Sequence, residues 1–498
     1  MNMKIINFFI IIMITATLPT LAVADWPMLG HDPQHTGYSN SEGPDTNNEL
    51  WSIYIGTDDS SSPAVYNSKI YIGSVGMFDY YFYCLDADNG KVIWEYTCQG
   101  RPYSPAVNND KVYFGTVFGF LYCLDANDGE EIWVNYIGEN YDSWWRNHPT
   151  IYDNKLYICS QYGDVHCYDA DTGEDIWIYS IDGSIYSCPA VHDGKLYVGS
   201  YDDNMYCLDA YNGDKIWNYN TESWIVSSPA IWDGKVYFGV KDGNVYCLDT
   251  DSGEKNWNFT TQNNVVSSPA INDGKLYVGS YDDNMYCLDA YNGDKIWNYT
   301  TGGYVSSSPA LTDNNVYFGS FDNNMYCLNA DSGEKIWSYS TFSAIDLSPA
   351  IYDDKVYIGD NVGYLYCFGD NQAPKTPIID GPRVGKIRER CQYNITIEDP
   401  TYDFLYIWID WGDKADNEWL GPYEVLANEP SKISVNHTWT KQGSYTLKVK
   451  VVDNKGLESE WEIIEVSMPK NRATNKSLLH FLDNFLIIYQ LIKRFLKL

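Results

Sequence analysis

Apolar and polar residues alternate in short runs along most of this chain, and the runs come in sets of four. Near the middle they read "SSPAI" (267–271), "KLYVGS" (275–280), "NMYCLDA" (284–290) and "KIWNY" (295–299). Between them stand Asn272-Asp273-Gly274, Tyr281-Asp282-Asp283 and Tyr291-Asn292-Gly293-Asp294. Aromatic and β-branched runs of this length, punctuated by Gly, Asn and Asp, predict strands joined by tight turns. Helical period is absent here.

The set of four repeats. "DGKLYVGSYDDNMYCLDAYNGDKIWNY" runs from Asp193 to Tyr219 and again, letter for letter, from Asp273 to Tyr299. Tryptophan returns at Trp51, Trp94, Trp133, Trp177, Trp217, Trp257, Trp297 and Trp337. Cysteine returns at Cys84, Cys123, Cys167, Cys207, Cys247, Cys287, Cys327 and Cys367. Most spacings are 40 residues, and the irregular early ones place insertions in the first repeats. Four-strand units repeated at about 40 residues predict the blades of a propeller. Each "SSPA" run should lie innermost and each "IW" run outermost. On that cut Leu50–Ile55 is an outer strand without inner partners, while 348–369 holds three strands without an outer one. The two fragments complete each other, so an eighth blade should close the ring through the N-terminal strand, leaving only short edges.

With these residues in place, "LDAxxGxxxW" and "SSPAxxDGKVYxGS" resemble the repeats of the pyrroloquinoline-quinone-type β-propeller superfamily. "LDADNGKVIW" (85–94) and "YDADTGEDIW" (168–177) carry the likeness, and "DWPMLGHDPQHTGYS" (25–39) is similar to the lead-in of such propellers. The resemblance implies either of two roles. Some members are quinoprotein dehydrogenases. Others are non-catalytic, among them the propeller subunit of bacterial outer-membrane protein assembly.

The repeat stops after Gly369. "DNQAPKTPIIDGP" (370–382) has the composition of a linker. Beyond it, alternating runs from 383 to 468 predict a small β-sandwich. "WIDWGD" (408–413) and "NHTWTKQGSYTLKVKVVDNKG" (436–456) resemble a polycystic-kidney-disease-type, immunoglobulin-like module, with Lys414 where that family usually has Gly. The resemblance implies a spacer or adhesion unit. The expected fold class is thus all-β: an eight-bladed propeller of four-stranded blades (50–369), a sandwich (383–468) and a short amphipathic helical tail (469–498).

Both ends bear on location. Lys4, the apolar run Ile5–Ile14 and Ala22-Val23-Ala24 form the pattern of a secretory signal peptide over 1–24, with 25–49 as a lead-in to the propeller. A secreted or cell-surface location is expected. Sequons at Asn258, Asn298, Asn394, Asn436 and Asn475 are compatible with export. In the tail Leu478, Leu482, Phe485, Tyr489, Ile492 and Leu496 recur at helical spacing. It reads as a docked helix, or as an attachment to a membrane surface or cell envelope.

Charge and cysteine content narrow the chemistry. The formal charge is −34, with 67 acidic against 33 basic residues, which argues against nucleic acid as partner. Eight of the 12 cysteines share one strand register. Neighbouring sheets lie about 10 Å apart, farther than a disulfide spans, so these eight read as small buried fillers. Any disulfide must involve Cys98, Cys159, Cys188 or Cys391. "DxDxG" turns such as Asp86–Gly90 fit Asp side chains accepting backbone N–H bonds, with calcium as the other reading. A quinone enzyme of the family would need an adjacent Cys-Cys pair and a calcium-ligating Glu/Asn/Asp set, and the sequence has no adjacent cysteines. The expectation is a non-enzyme without cofactor or metal, the quinoprotein oxidoreductase being the alternative.

The loops before the "SSPA" runs vary most, and they carry Trp144, Trp145, Arg146, Tyr186, Trp224, Tyr304 and Phe342. Asp202-Asp203 and Asp282-Asp283 should share their face. Either the rings pack between blades, or Trp144, Trp145, Arg146, Tyr186, Trp224 and Tyr304 form a binding platform for a polysaccharide or protein ligand.

Overall fold

The computed structural model describes residues 25–57, 61–137, 148–401, 403–413, 418–426, 429–469 and 485. The elements built from these residues are β-strands. Eight four-stranded antiparallel sheets form the blades. In a typical one, Ala270–Asn272, Lys275–Gly279, Asn284–Asp289 and Lys295–Thr300 follow one another in space as in sequence. The last blade takes Ala350–Tyr352, Lys355–Gly359 and Tyr364–Gly369 from the end of the propeller and Glu49–Tyr54 from its beginning. Trp51 stands opposite Cys367, and Tyr54 opposite Tyr364. The closure expected from the two incomplete fragments is therefore present.

The "LDAxxGxxxW" pattern has a physical cause. In the first blade the Tyr71 hydroxyl and the Trp94 indole N–H both donate to the Ala126 carbonyl of the next blade, at 3.0 and 3.2 Å. The glycine of each turn lets that tryptophan lie on the backbone. A Cβ on Gly293 (φ +80°) would come within 2.7 Å of Trp257. The N-terminal strand completes the same device: Trp51 Nε1 and the Tyr357 hydroxyl both donate to Ala87 O, at 3.3 and 3.1 Å. The last blade lacks its own "LDA" turn. The Pro44 carbonyl takes its place, accepting from Tyr317 (3.0 Å) and Trp337 (3.1 Å).

The register cysteines are buried fillers, as their spacing suggested. Cys84 is fully buried between Tyr71 on one neighbouring strand and Trp94 on the other. All 12 cysteines are free thiols and all are buried.

The innermost strands are shorter than the sequence pattern suggests. "SSPAI" is not extended pairing throughout; the strand starts at Ala270. Pro269 has no N–H for the ladder and holds Ser268 extended, and the Ser268 N–H turns to the next blade instead.

The second unit is a sandwich of two sheets. One holds Ile378–Asp380, Cys391–Ile397 and Ser431–His437; the other holds Glu418–Val425, Asp403–Asp410, Gly443–Asp453 and Glu462–Met468, in that spatial order. Tyr393, Trp411, Trp439 and Val449 are buried between them. The stretch expected as a linker, 370–382, ends in structure, because Ile378 pairs with Thr396 and Asp380 with Asn394. Its prolines at 374, 377 and 382 flank this edge strand without interrupting it. Asn371 Nδ2 donates to Asp453 Oδ2 at 2.7 Å, and Lys91 pairs with Glu429. The leader 1–24 and, apart from Pro469 and Phe485, the tail 469–498 lie outside the described residues.

Candidate ligand-binding face

The residue before the proline of each innermost run has a task common to all blades. Ser62 N–H donates to Ser104 Oγ (2.8 Å), Ser104 N–H to His148 Nδ1 (2.9 Å), His148 N–H to Cys188 Sγ (3.4 Å) and Cys188 N–H to Ser228 Oγ (3.0 Å). The series continues from Ser228 to Ser268 (2.9 Å), Ser268 to Ser308 (3.0 Å), Ser308 to Ser348 (3.2 Å), and back from Ser348 to Ser62 (2.9 Å). Eight hydrogen bonds thus close a ring around the axis. Sequence reading missed it, although the recurring residue before proline was the available signal.

The lead-in crosses the axis on one side of this ring. Trp26 exchanges both backbone hydrogen bonds with Val65. Pro27, Pro33, Gln34, Thr36 and Gly37 carbonyls accept from Val107, Val191, Ile231, Ile271 and Leu311 on the innermost strands of five further blades. His35 stands at the hub, 3% exposed, with Nδ1 3.2 Å from the Pro229 carbonyl and Nε2 3.4 Å from Thr150 Oγ1. Burial pushes its imidazole down to about 4, so it is neutral at pH 7. The lead-in is therefore a plug.

Beyond the ring, toward the loops, lies a cavity of about 150 Å³, with Leu29 of the plug in its lining. Tyr186, Tyr281, Phe321 and Asp346 contribute to its wall. The expected platform residues continue this wall outward. Tyr186 meets Tyr201 edge-on at 4.4 Å, and Tyr201 stacks on Trp224 at 4.6 Å and 10°. Lys241 Nζ lies 5.0 Å from the Trp224 ring centroid and 5.4 Å from that of Tyr201. Desolvation lowers the pKa of its amine. Tyr304 stacks on Tyr281 at 4.8 Å and 8°. Trp224 and Tyr304 each keep 47% of their surface exposed, and Phe342 keeps 74%. These rings stack between blades and still face solvent. Trp144, Trp145 and Arg146 lie outside the described residues.

In each acidic pair the first carboxylate is engaged by its own surroundings. Asp282 Oδ2 accepts from the Tyr286 hydroxyl (2.7 Å) and the Gln262 N–H (2.9 Å). Asp202 Oδ2 accepts from Tyr206 (2.5 Å). These carboxylates hold their own turns. The "DxDxG" aspartates do likewise, Asp86 Oδ1 accepting from the N–H groups of Asp88 and Asn89 at 2.9 and 3.1 Å. Among the described residues no three His, Cys, Asp or Glu side chains converge as a metal set.

A family model described as "Outer membrane protein assembly factor BamB" matches residues 42–142, 83–162, 118–239 and 161–372, about two thirds of the chain. The chain belongs to this family of PQQ-type repeats. No curated protein matches its sequence. Among solved structures, it resembles BamB from Moraxella catarrhalis at 17% identity, over 65% of this chain and 97% of that one, with a TM-score of 0.54. It also resembles the quinohemoprotein alcohol dehydrogenase of Comamonas testosteroni (16%, 72% and 82%, TM-score 0.60). The computationally designed Ika8 protein is similar too (15%, 65% and 99%, TM-score 0.58). At these identities the likeness shows the fold.

The dehydrogenase branch implies a quinone and a metal ion, and the described lining offers little to hold the quinone. A tricyclic, carboxylate-bearing quinone needs cationic partners, and the cavity wall holds no Lys or Arg among the described residues.

Proposed function

We propose that this protein is an exported, non-catalytic binding propeller that holds a polysaccharide on its loop face. The observation that carries the reading is the pair of half-exposed rings, Trp224 and Tyr304, each stacked on a ring of the neighbouring blade beside the axial cavity. Rings already fixed in place lose little freedom when a sugar packs on them. Export is supported by the leader-like pattern of residues 1–24, and surface attachment by the amphipathic pattern of the tail. The sandwich, by its resemblance to polycystic-kidney-disease-type modules, would act as the spacer between propeller and surface.

A protein partner is the second reading, favoured by the family's description as an outer membrane protein assembly factor. A glycan and peptide array probed with the full chain separates the two. Retention on glycans supports the first reading, and retention on peptides alone overturns it in favour of the second. Reconstitution with quinone and calcium tests the oxidoreductase alternative: dye reduction would overturn the non-catalytic assignment.

A further inference from the structure

We infer that the axial cavity takes one neutral, pyranose-sized ring at the end of a glycan chain. The inference rests on the proposed glycan reading and goes further, from a surface that holds a polymer to a pocket that recognises its terminus.

Size is the first argument. A cavity of about 150 Å³ is the size that accepts a single six-membered ring.

The second argument is its polar lining. Ser228, Ser268, Ser308 and Ser348 face the cavity, and each Oγ already accepts a backbone N–H from its neighbour in the ring. Their hydroxyl hydrogens meet no acceptor among the described residues. A hydroxyl that accepts one hydrogen bond is polarised toward donating another. Ser306 Oγ, also in the lining, is buried and has no hydrogen-bond partner among the described residues. Buried polar atoms without partners are rare in folded proteins, and this one is free to bond a group that enters the cavity. Val226 and Val266 add apolar wall between the hydroxyls. A sugar ring offers the matching mixture, a rim of hydroxyl acceptors around C–H faces.

The third argument is access. The plug closes the floor, its backbone hydrogen-bonded to six innermost strands, so a chain cannot thread the axis. Only an end can enter from the loop face, while the following units would meet Tyr281, Tyr304 and Trp224. Charge disfavours acidic rings, because the chain carries −34 overall.

The test uses the full chain, with methyl glycosides and cyclitols as probes in saturation-transfer NMR and linear and cyclic glucans as polymers. Val266→Phe fills the cavity, and Ser306→Val removes the unpartnered hydroxyl while leaving the serine ring whole. We expect a neutral methyl glycoside to bind, and Val266→Phe and Ser306→Val to weaken it at least tenfold. Should Val266→Phe fail to fold, Ser306→Val decides alone. Polymer binding that ignores both cavity variants and is equal for linear and cyclic glucans overturns the terminal pocket but leaves the face reading intact. Absence of binding to every sugar overturns both.

Discussion

The backbone N–H of Ser348 donates to Ser62 Oγ at 2.9 Å, tying the last blade to the first across 286 positions of sequence. On the outside of the same two blades, Trp51 donates to Ala87 O. Inner and outer closures therefore act on the same junction, and the N-terminal strand supplies the outer one. Deleting residues 25–56 should remove this strand together with the plug and expose the edge of Tyr364–Gly369. The truncated chain should lose its cooperative thermal transition. A transition as sharp, and at the same temperature, as that of the intact chain would refute the closure account.

The turn glycines test the blade-to-blade contact. Gly293→Ala must place a Cβ 2.7 Å from Trp257 at φ +80°, and should destabilise the propeller by about 2 kcal/mol or more. Gly456 also has positive φ (+93°), but nothing lies within 4 Å of a Cβ there. Gly456→Ala should carry only backbone strain, about 1 kcal/mol. Chemical denaturation of both variants measures the gap, and equal losses would mean that the tryptophan contact is unimportant.

His35 makes the hub sensitive to acid. Burial depresses its folded pKa to about 4 from the usual 6.5, so between those values the unfolded chain binds a proton that the folded chain does not. Stability contributed by neutral His35 is complete above about pH 6.5 and falls as pH drops toward 4, by about 3 kcal/mol at most. His35→Gln should flatten this part of the stability–pH curve relative to the parent. Parallel curves for the two proteins would show that the hub histidine does not titrate as its burial requires.

The register cysteines should be inert. Burial pushes the thiols of Cys84, Cys123, Cys167, Cys207, Cys247 and Cys287 up to about 12, and thiolate is the reactive form. At pH 8 the native chain should leave these six unlabelled by iodoacetamide, and denaturation should expose all of them, as mass spectrometry can show. Labelling of Cys207 in the native state would mean that the blades open.

The blades, their number and their closure were legible because the information is periodic. "LDAxxGxxxW" states a turn, a glycine under a ring and the ring itself, and repeats the statement until the two unpaired ends stand out. The plug was not legible. Pro27, Gly30, Pro33 and Gly37 break every local period, and the segment takes its shape from strands that lie up to several blades away. The role of Asp202 and Asp282 was hidden for a related reason: an acidic residue on a loop looks available until the tyrosine four residues along, Tyr206 or Tyr286, is seen to donate to it. The aromatic residues were legible as a group, but their pairing was not. Trp224 stacks on Tyr201 of the preceding blade, a contact that follows from the ring and not from the order of residues.

The central claim is that the loop face binds a polysaccharide through its exposed rings. Affinity electrophoresis of the full chain through gels containing candidate polysaccharides tests it most directly, with the parent beside Trp224→Ala. The account predicts that one polysaccharide retards the parent, that the variant runs at least tenfold weaker, about 1.4 kcal/mol, and that the two melt within a few degrees of each other, since Trp224 is 47% exposed. Equal retardation of parent and variant, or retardation by none of the polysaccharides alongside capture by a peptide array, would contradict it.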